Sequence, residues 1–241
     1  MRLIPILMIL LPQFLQAQER KICKPEIHNI LTFEDRYEPI YERVVLLSKK
    51  DLSASEKKEL DSLFGVVEGL GYDGSVYETM GAECSWYCAG GPYRITASSS
   101  LKSAGKTDYI PANIHDFSYK TVWAEGVKGY GIGEYIEYHF QPGNTQITEI
   151  RIANGHVKSD KAWFENSRVK TIKMYFNGEY YLTLELNDTK ALQSFKLDKP
   201  LGITEGEKDW VLKFEIADVY QGDKYDDVVI SELFFDGIGD H

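Results

Sequence analysis

Side chains able to do chemistry are plentiful in this 241-residue chain, and their spacing decides which chemistry is open to them. Hydrolysis needs a nucleophile beside a base, or two carboxylates facing one cleft. Neither a Gly-x-Ser-x-Gly elbow nor a His-Glu-x-x-His motif occurs, and the five histidines, among them His115, His139 and His156, fall one by one in separate segments. Glu125 and Glu134 are the acid pair on offer, flanking a glycine-rich stretch; among 37 acids a structural or hydrogen-bonding role outweighs catalysis. An unrecognised hydrolase therefore ranks last among the functions considered. The glycines themselves, Gly126, Gly129, Gly131 and Gly133, suggest a phosphate cradle. A dinucleotide fingerprint needs a helix after its glycines, whereas a strand pattern follows here and Glu134 stands where the third glycine belongs.

Three cysteines leave one unmatched. Cys84 and Cys88 bracket Ser85-Trp86-Tyr87 and are close enough to form a disulfide, whose short loop is worth about 2 kcal/mol in the chain-entropy account. A zinc site would need a second Cys or His pair at suitable spacing, and none is present. Cys23 is then free, paired between molecules, or a substitute partner for the other two.

These residues have to be positioned by two kinds of element. Residues 18–75 read as helical: Tyr37, Ile40, Tyr41, Val44 and Leu47 recur at helical spacing after Glu38-Pro39, and Ser53 with Glu56 forms a capping box before the stripe Leu60, Leu63, Phe64, Val67 and Leu70. Gly69 and Gly71 supply the stop. From Arg94 the period changes to two. Ile136, Tyr138 and Phe140 alternate with polar neighbours, as do Thr148, Ile150 and Ile152, and Ile172, Met174 and Phe176. Asn177-Gly178 makes a hairpin turn into Leu182, Leu184 and Leu186, and further strands follow at 194–197, 210–216 and 228–235. Many short strands without interleaved helices predict a mostly β fold, an antiparallel jelly-roll β-sandwich preceded by a small α-helical N-terminal region.

Composition fixes the setting. Arg2, the apolar run from Leu3 to Leu11 and Leu15-Gln16-Ala17 read as a secretory signal peptide over residues 1–17, placing the mature protein outside the cell or in the periplasm. No segment reaches the roughly 20 apolar residues of a membrane span. The formal charge of -10 repels phosphate backbones, so nucleic acid is not an expected partner.

Six separated segments carry a resemblance. Asn113-Ile114-His115-Asp116, Lys120-Thr121-Val122-Trp123-Ala124-Glu125-Gly126, and Gly129-Tyr130-Gly131-Ile132-Gly133-Glu134 come first. They are followed by Ile152-Ala153-Asn154-Gly155, Asn166-Ser167-Arg168-Val169-Lys170, and Val219 to Asp227 with Ile230-Ser231-Glu232. Together these resemble the NADase-type glycan-binding domain family, similar to galactose-binding, discoidin-like β-sandwiches, over residues about 93–236. The resemblance implies a bacterial jelly roll that binds a glycan or glycoconjugate without catalysis, in residues 93–241, after a helical region at 18–92. NADase activity is not expected, since only Gly237 to His241 follow the last strand. A protein-protein interaction or adhesion module on the same sandwich is the alternative, and the N-terminal helices are the expected surface for a protein partner.

The wider group also implies a structural calcium held by Asp116, Thr121 and Glu232, hard oxygen donors matching by position. The usual Asp-Gly is here Asp116-Phe117, so a hydrogen-bonded loop closure without metal carries equal weight. Sugar recognition needs an aromatic face and fixed polar groups, and Trp123, Glu125, Tyr130, Asn154, Trp163, Asn166 and Arg168 have suitable types. Trp123 has a core alternative, Arg168 a solvated strand-edge one. Trp163, expected in a loop between strands, is the stronger ligand-facing candidate.

Overall fold

A computed structural model gives the fold of the chain and describes residues 21–33, 37–49, 51–70, 77–78, 86–88, 90–105, 107–143, 146–203, 205–206 and 208–238. The expected signal peptide lies outside the described residues, and so does Cys84 of the expected disulfide. The strands are β1 (Ile22–Cys23), β2 (Glu26–Ile30), β3 (Arg94–Ala97), β4 (Trp123–Ala124), β5 (Tyr135–Phe140) and β6 (Gln146–Asn154). After these come β7 (Asn166–Phe176), β8 (Glu179–Glu185), β9 (Ala191–Leu201), β10 (Trp210–Tyr220) and β11 (Tyr225–Ile238). The helices are α1 (Glu38–Ser48), α2 (Ala54–Leu70) and the single-turn α3 (Asp160–Glu165) between β6 and β7.

Two sheets form the sandwich. In the first, β8, β7, β10, β5 and β3 pair antiparallel in that order. In the second the order is β2, β9, β6, β11, with β4 also on β11. A short parallel contact between the start of β11 and the start of β7 joins them. The alternation read from sequence becomes the core: Ile136, Tyr138 and Phe140 meet Trp210, Leu212 and Phe214 from β10 and Ile150, Ile152 and Phe235 from the facing sheet. Phe140 and Trp210 stack with centroids 4.0 Å apart. Asn177 and Gly178 turn the β7–β8 hairpin at φ 51° and 85°, as the tight turn requires.

Three expectations are corrected. Residues 22–30 are not helical: β1 joins β8 in parallel and β2 joins β9, so the segment crosses from an edge of one sheet to an edge of the other. It lacks a 3.6-residue apolar stripe, and unpaired sheet edges offer its backbone partners that a helix would have to supply internally. The module boundary at 93 is also too late. Trp86 is buried against Phe140 and Phe235, and Tyr87 Oη accepts the Phe235 N–H at 2.7 Å. Finally, a bulge between Ile147 and Glu149 turns Ile147 inward and leaves Thr148 half-buried.

The helices form where expected. Glu56 N–H donates to Ser53 Oγ at 3.3 Å and Ser53 N–H to Glu56 Oε2 at 3.0 Å, the reciprocal capping box. Arg43 clamps Glu59 with two bonds of 2.7 and 2.9 Å, tying α1 to α2. Lys120 ties α1 to the sandwich by pairing with Glu38 and Glu42.

His115 is one of the groups that make stability depend on pH. His115 lies among Tyr87, Phe117, Tyr138 and Phe235, with Nδ1 2.8 Å from the Leu233 carbonyl, to which it must donate. Burial lowers its pKa to about 4. The unfolded chain takes up a proton below about 6.5 and the folded one does not, so this contribution is full above that pH and is lost as pH falls toward 4. In denaturant unfolding, the stability difference between the parent chain and His115→Gln is expected to shift by roughly 2–3 kcal/mol in the variant's favour from pH 7 to 4, the His156 and Glu232 contributions being common to both.

Candidate functional site

The residues singled out in sequence fall into three groups, each with a member in or bonded to β11: Asn166, Glu125 and Glu232. The first is a knot at one end of the sandwich. Ser159 caps α3 by accepting the Ala162 N–H, and the turn carries Trp163 inward, 6% exposed, instead of into a loop. Its Nε1 donates to the Asn154 carbonyl at 3.1 Å and its ring lies 4.2 Å beneath the Arg168 guanidinium. Arg168 is not a solvated edge charge: it is 5% exposed, grips Asp188 through bonds of 2.7 and 3.2 Å, and donates to the Trp163 and Asn166 carbonyls. Asn154 clamps Val169 in both directions, accepting its N–H at 3.0 Å and donating to its carbonyl at 2.7 Å. Asn166 donates to the Ala162 carbonyl at 2.8 Å. Asn154, Trp163, Asn166 and Arg168 are thus brought together, with Asn154, Trp163 and Arg168 as supports turned inward.

Glu125 forms the second group. Its Oε2 accepts the Val127 N–H at 2.8 Å and its Oε1 the Val228 N–H at 3.3 Å, while burial raises its pKa. A Cβ on Gly131, at φ 58°, would come within 2.5 Å of Glu125 Cγ, so this glycine makes room for a carboxylate of the chain itself. Glu134 accepts from Ser98 Oγ at 2.6 Å. The two acids therefore brace separate loop segments, near enough for the charge of Glu134 to add to the upward shift on Glu125. Trp123, 1% exposed, belongs to the core and donates to the Ser99 carbonyl at 3.1 Å; Tyr130 is half-buried in the glycine stretch.

Asp116, Thr121 and Glu232 do meet. Thr121 Oγ1 donates to Asp116 Oδ2 at 2.7 Å, and the Ser118 N–H lies 3.0 Å from Asp116 Oδ1 and 2.8 Å from Glu232 Oε1. Phe117 takes φ 60° to let the loop close over Glu232. Glu232 is fully buried; burial, and a side-chain hydrogen bond with Asp116 that its protonated form makes, raise its pKa to about 9, and in the ionised form its Oε2 is left without a partner. An orphaned carboxylate oxygen facing a second carboxylate fits a hard cation, with Thr121 as a further oxygen donor. Among the described residues no cluster of three or more His, Cys, Asp or Glu side chains could hold a metal, so remaining donors would have to be backbone carbonyls or water.

Sequence reasoning missed the exposed rings. Phe164, next to Trp163, is 53% exposed and Tyr225 is 40% exposed. Their segments are tied by Asp223 N–H to the Phe164 carbonyl at 2.9 Å and Lys224 N–H to the Glu165 carbonyl at 3.2 Å. The signal was the Trp163-Phe164 pair, of which only one ring can face inward from one helical turn. A cleft of about 710 Å³ also opens between α1 and the loop 116–120, lined by Tyr41, Leu46, Asp116 and Phe117 among others.

Two facing sheets closed by loops at their ends define a discoidin-like β-sandwich. The chain belongs to the family described as the NAD glycohydrolase translocation F5/8 type C domain, which matches residues 86–236. That family is a translocation domain, not a catalytic one. Among solved structures, the chain is similar to the first and second family 32 carbohydrate-binding modules of Clostridium perfringens ZmpB, at 15% identity and TM-score 0.44, covering 61% of this chain and 35% of that one. The family 32 module of Streptococcus pneumoniae EndoD has 12% identity and TM-score 0.42 over 60% of this chain and 96% of its own. The Streptococcus pyogenes NAD+-glycohydrolase translocation domain has 26% identity and TM-score 0.34 over 48% of this chain and 98% of its own. The chain thus spans about a third of the length of the first of these structures. No curated protein matches it.

The knot depends on one missing side chain. A Cβ on Gly155, at φ 82°, would sit 2.8 Å from Arg168 Cγ and 2.9 Å from Trp163 Cδ1. Gly155→Ala is expected to cost about 2 kcal/mol or more through strain and displacement of the guanidinium. Chemical denaturation together with a red shift of tryptophan emission checks it; unchanged stability and emission would show that the knot tolerates a methyl group.

Proposed function

We propose that this chain is an exported, non-catalytic recognition module that binds a glycan at the sandwich end bearing Phe164 and Tyr225. One observation carries the reading: two half-exposed aromatic rings lie on segments joined by backbone hydrogen bonds, and Phe164 packs edge to face on Trp163, which Arg168 and Asn154 hold rigid. A pyranose offers an apolar face to such rings and hydroxyls to Asn166 and the charged rim of Glu165 and Lys224, 3.9 Å apart. Of the residues first singled out, Asn166 and Tyr130 remain contact candidates, whereas Trp123, Glu125, Asn154, Trp163 and Arg168 act by holding the loops. Residues 1–17 serve as the export signal, Cys84 and Cys88 pair once exported, and recognition of a surface glycan is the step this module contributes to translocation. Phe164→Ala and Tyr225→Ala are each expected to weaken binding by about tenfold on a glycan array followed by calorimetry. Affinities equal to the parent chain would sink the placement.

Calcium belongs to the same proposal, held by Asp116, Thr121 and Glu232. Supplying positive charge, it would draw both carboxylates into their ionised forms, reversing the preference that burial gives Glu232. In the metal-free protein Glu232 stabilises fully below about pH 4.5 and loses that contribution as pH rises toward 9. At pH 8 in chelator, Glu232→Gln is therefore expected to melt at least about 3 °C above the parent chain. Added calcium should raise the parent's melting temperature and leave the variant's unchanged. A variant that melts lower in chelator, or a parent indifferent to calcium, counts against the site.

A further inference from the structure

The outward face of the first sheet takes no part in the site above. Across it, strand register lays Tyr180, Tyr175, Lys213, Glu137 and Thr96 in one row spanning five strands. Lys213 Nζ lies 4.1 Å from the Tyr175 ring centroid and 5.1 Å from that of Tyr135, and donates to Glu215 Oε2 at 2.8 Å. Lys173 approaches Glu215 Oε1 at 3.6 Å, Tyr175 Oη donates to that oxygen at 3.3 Å, and Arg94 lies 3.2 Å from His139 Nδ1. The cations of this face are engaged by its own acids, rings and imidazole. What it presents outward is half-buried tyrosine rings that share the Lys213 ammonium, lysine stems, hydroxyls and the Asn177 amide.

The face is also recessed. A hollow of about 490 Å³ lies between Tyr135 and Glu137 on one side and the Asn177–Gly178 turn on the other, with Val211 and Lys213 lining it. That turn is held over β10 by a pair of 2.9 Å bonds between Asn177 and Val211, from Asn177 N–H to the Val211 carbonyl and from Val211 N–H to Asn177 Oδ1. A second hollow of about 250 Å³, lined by Thr171, Glu185 and Tyr220 among others, lies toward the opposite end of the same strands. From Val211 to Tyr220 the strand rises roughly 30 Å, long enough for a chain of several sugars.

We propose that this face is an extended binding surface for a neutral linear oligosaccharide running along β7 and β10, separate from the contact at Phe164 and Tyr225. The proposal rests on the glycan reading above and deepens it by naming the polymer's charge and form. An anionic polymer meets cations already engaged on a chain of net charge -10. An apolar protein surface meets no match: among the described residues, the strongly exposed large apolar side chains, such as Ile30, Ile132 and Phe164, lie outside this row. Pyranose rings in a neutral chain present apolar C–H faces to Tyr135 and Tyr175 and hydroxyls to Glu137, Thr96 and Asn177.

The full chain would be titrated with disaccharides and hexasaccharides of β-linked glucose, xylose, mannose and N-acetylglucosamine by calorimetry. In at least one series the hexasaccharide is expected to bind about tenfold more tightly than the disaccharide. Tyr135→Ala and Tyr175→Ala should abolish that gain while leaving disaccharide affinity intact; Tyr175→Phe, which keeps the ring and the fold, should retain most of it. Phe164→Ala should do the reverse, weakening the disaccharide and sparing the gain. Disaccharide binding without any gain, or a gain that survives both alanine variants, overturns the face and leaves the glycan reading standing. Hexasaccharide binding that Tyr175→Ala removes and Phe164→Ala spares, with no disaccharide binding, supports the face and overturns the contact at Phe164. Absence of binding in every series overturns both.

Discussion

β11 has to serve two sheets at once, and the polar residues in it therefore decide where the loops close. It begins parallel to β7 and continues antiparallel to β4 and β6, and from Val228 to Phe235 no residue is more than 5% exposed. A strand covered on both faces reads as a nearly continuous apolar run, and Val228-Val229-Ile230 and Leu233-Phe234-Phe235 obey this. Ser231 and Glu232 interrupt it. A buried polar group without a partner costs more than a hydrogen bond returns, so each needs a loop brought to it. Ser231 Oγ donates to the Gly155 carbonyl at 2.8 Å and accepts the Val157 N–H at 3.1 Å, fixing the entry to α3. Glu232 draws the Asp116–Ser118 turn inward, and the same turn delivers Lys120 to Glu38 and Glu42 of α1. The most buried strand thus sets the outermost features: the turn that presents Phe164, the paired acids, and the seat of the helical hairpin.

The N-terminal region is part of this arrangement. A small apolar cluster of Tyr77, Tyr119, Ala153, Val157 and Trp163 is completed by Leu31, Phe33 and Leu192. Tyr77, Leu31 and Phe33 all lie before residue 86, outside the span matched by the family. Phe33 sits 4.6 Å from Tyr77 and 5.5 Å from Tyr119, ring centroid to ring centroid. The inward position of Trp163 is accordingly a property of the whole chain, since Leu31 and Phe33, which pack against its cluster, lie more than a hundred positions away in sequence.

Distance in sequence separates what the chain made legible from what it hid. The sandwich strands could be read because their side chains alternate locally, and Ile136, Tyr138 and Phe140 are buried as that alternation demands. The capping box at Ser53 and the turn at Asn177 are likewise local devices and appear where their residues stand. Strands β1 and β2 could not be read, because their conformation is dictated by vacant edges at β8 and β9. The meeting of Asp116 and Thr121 with Glu232 is long-range, yet the family resemblance supplied it, since a pattern shared across a fold encodes contacts that periodicity cannot. Residue type alone failed at Trp163 and Arg168. A tryptophan and an arginine suit a sugar, but they suit each other equally well, and the indole, 6% exposed with the guanidinium packed 4.2 Å from its ring, has no face open to a ligand.

That packing explains the exposed neighbour. Successive residues on a helical turn point about 100° apart, so α3 cannot turn Trp163 and Phe164 to the same side. Burying the indole gains more, since it carries the larger apolar area and an N–H that finds the Asn154 carbonyl. With the larger ring committed inward, the smaller is forced out and held at 53% exposure. The two rings still touch edge to face, centroids 5.0 Å apart, so the outward ring rests on one whose position is fixed by Arg168, Asp188 and Asn154. A surface aromatic held this way has little rotamer freedom left to lose when a ligand arrives, and the entropy of ordering it has already been met by folding.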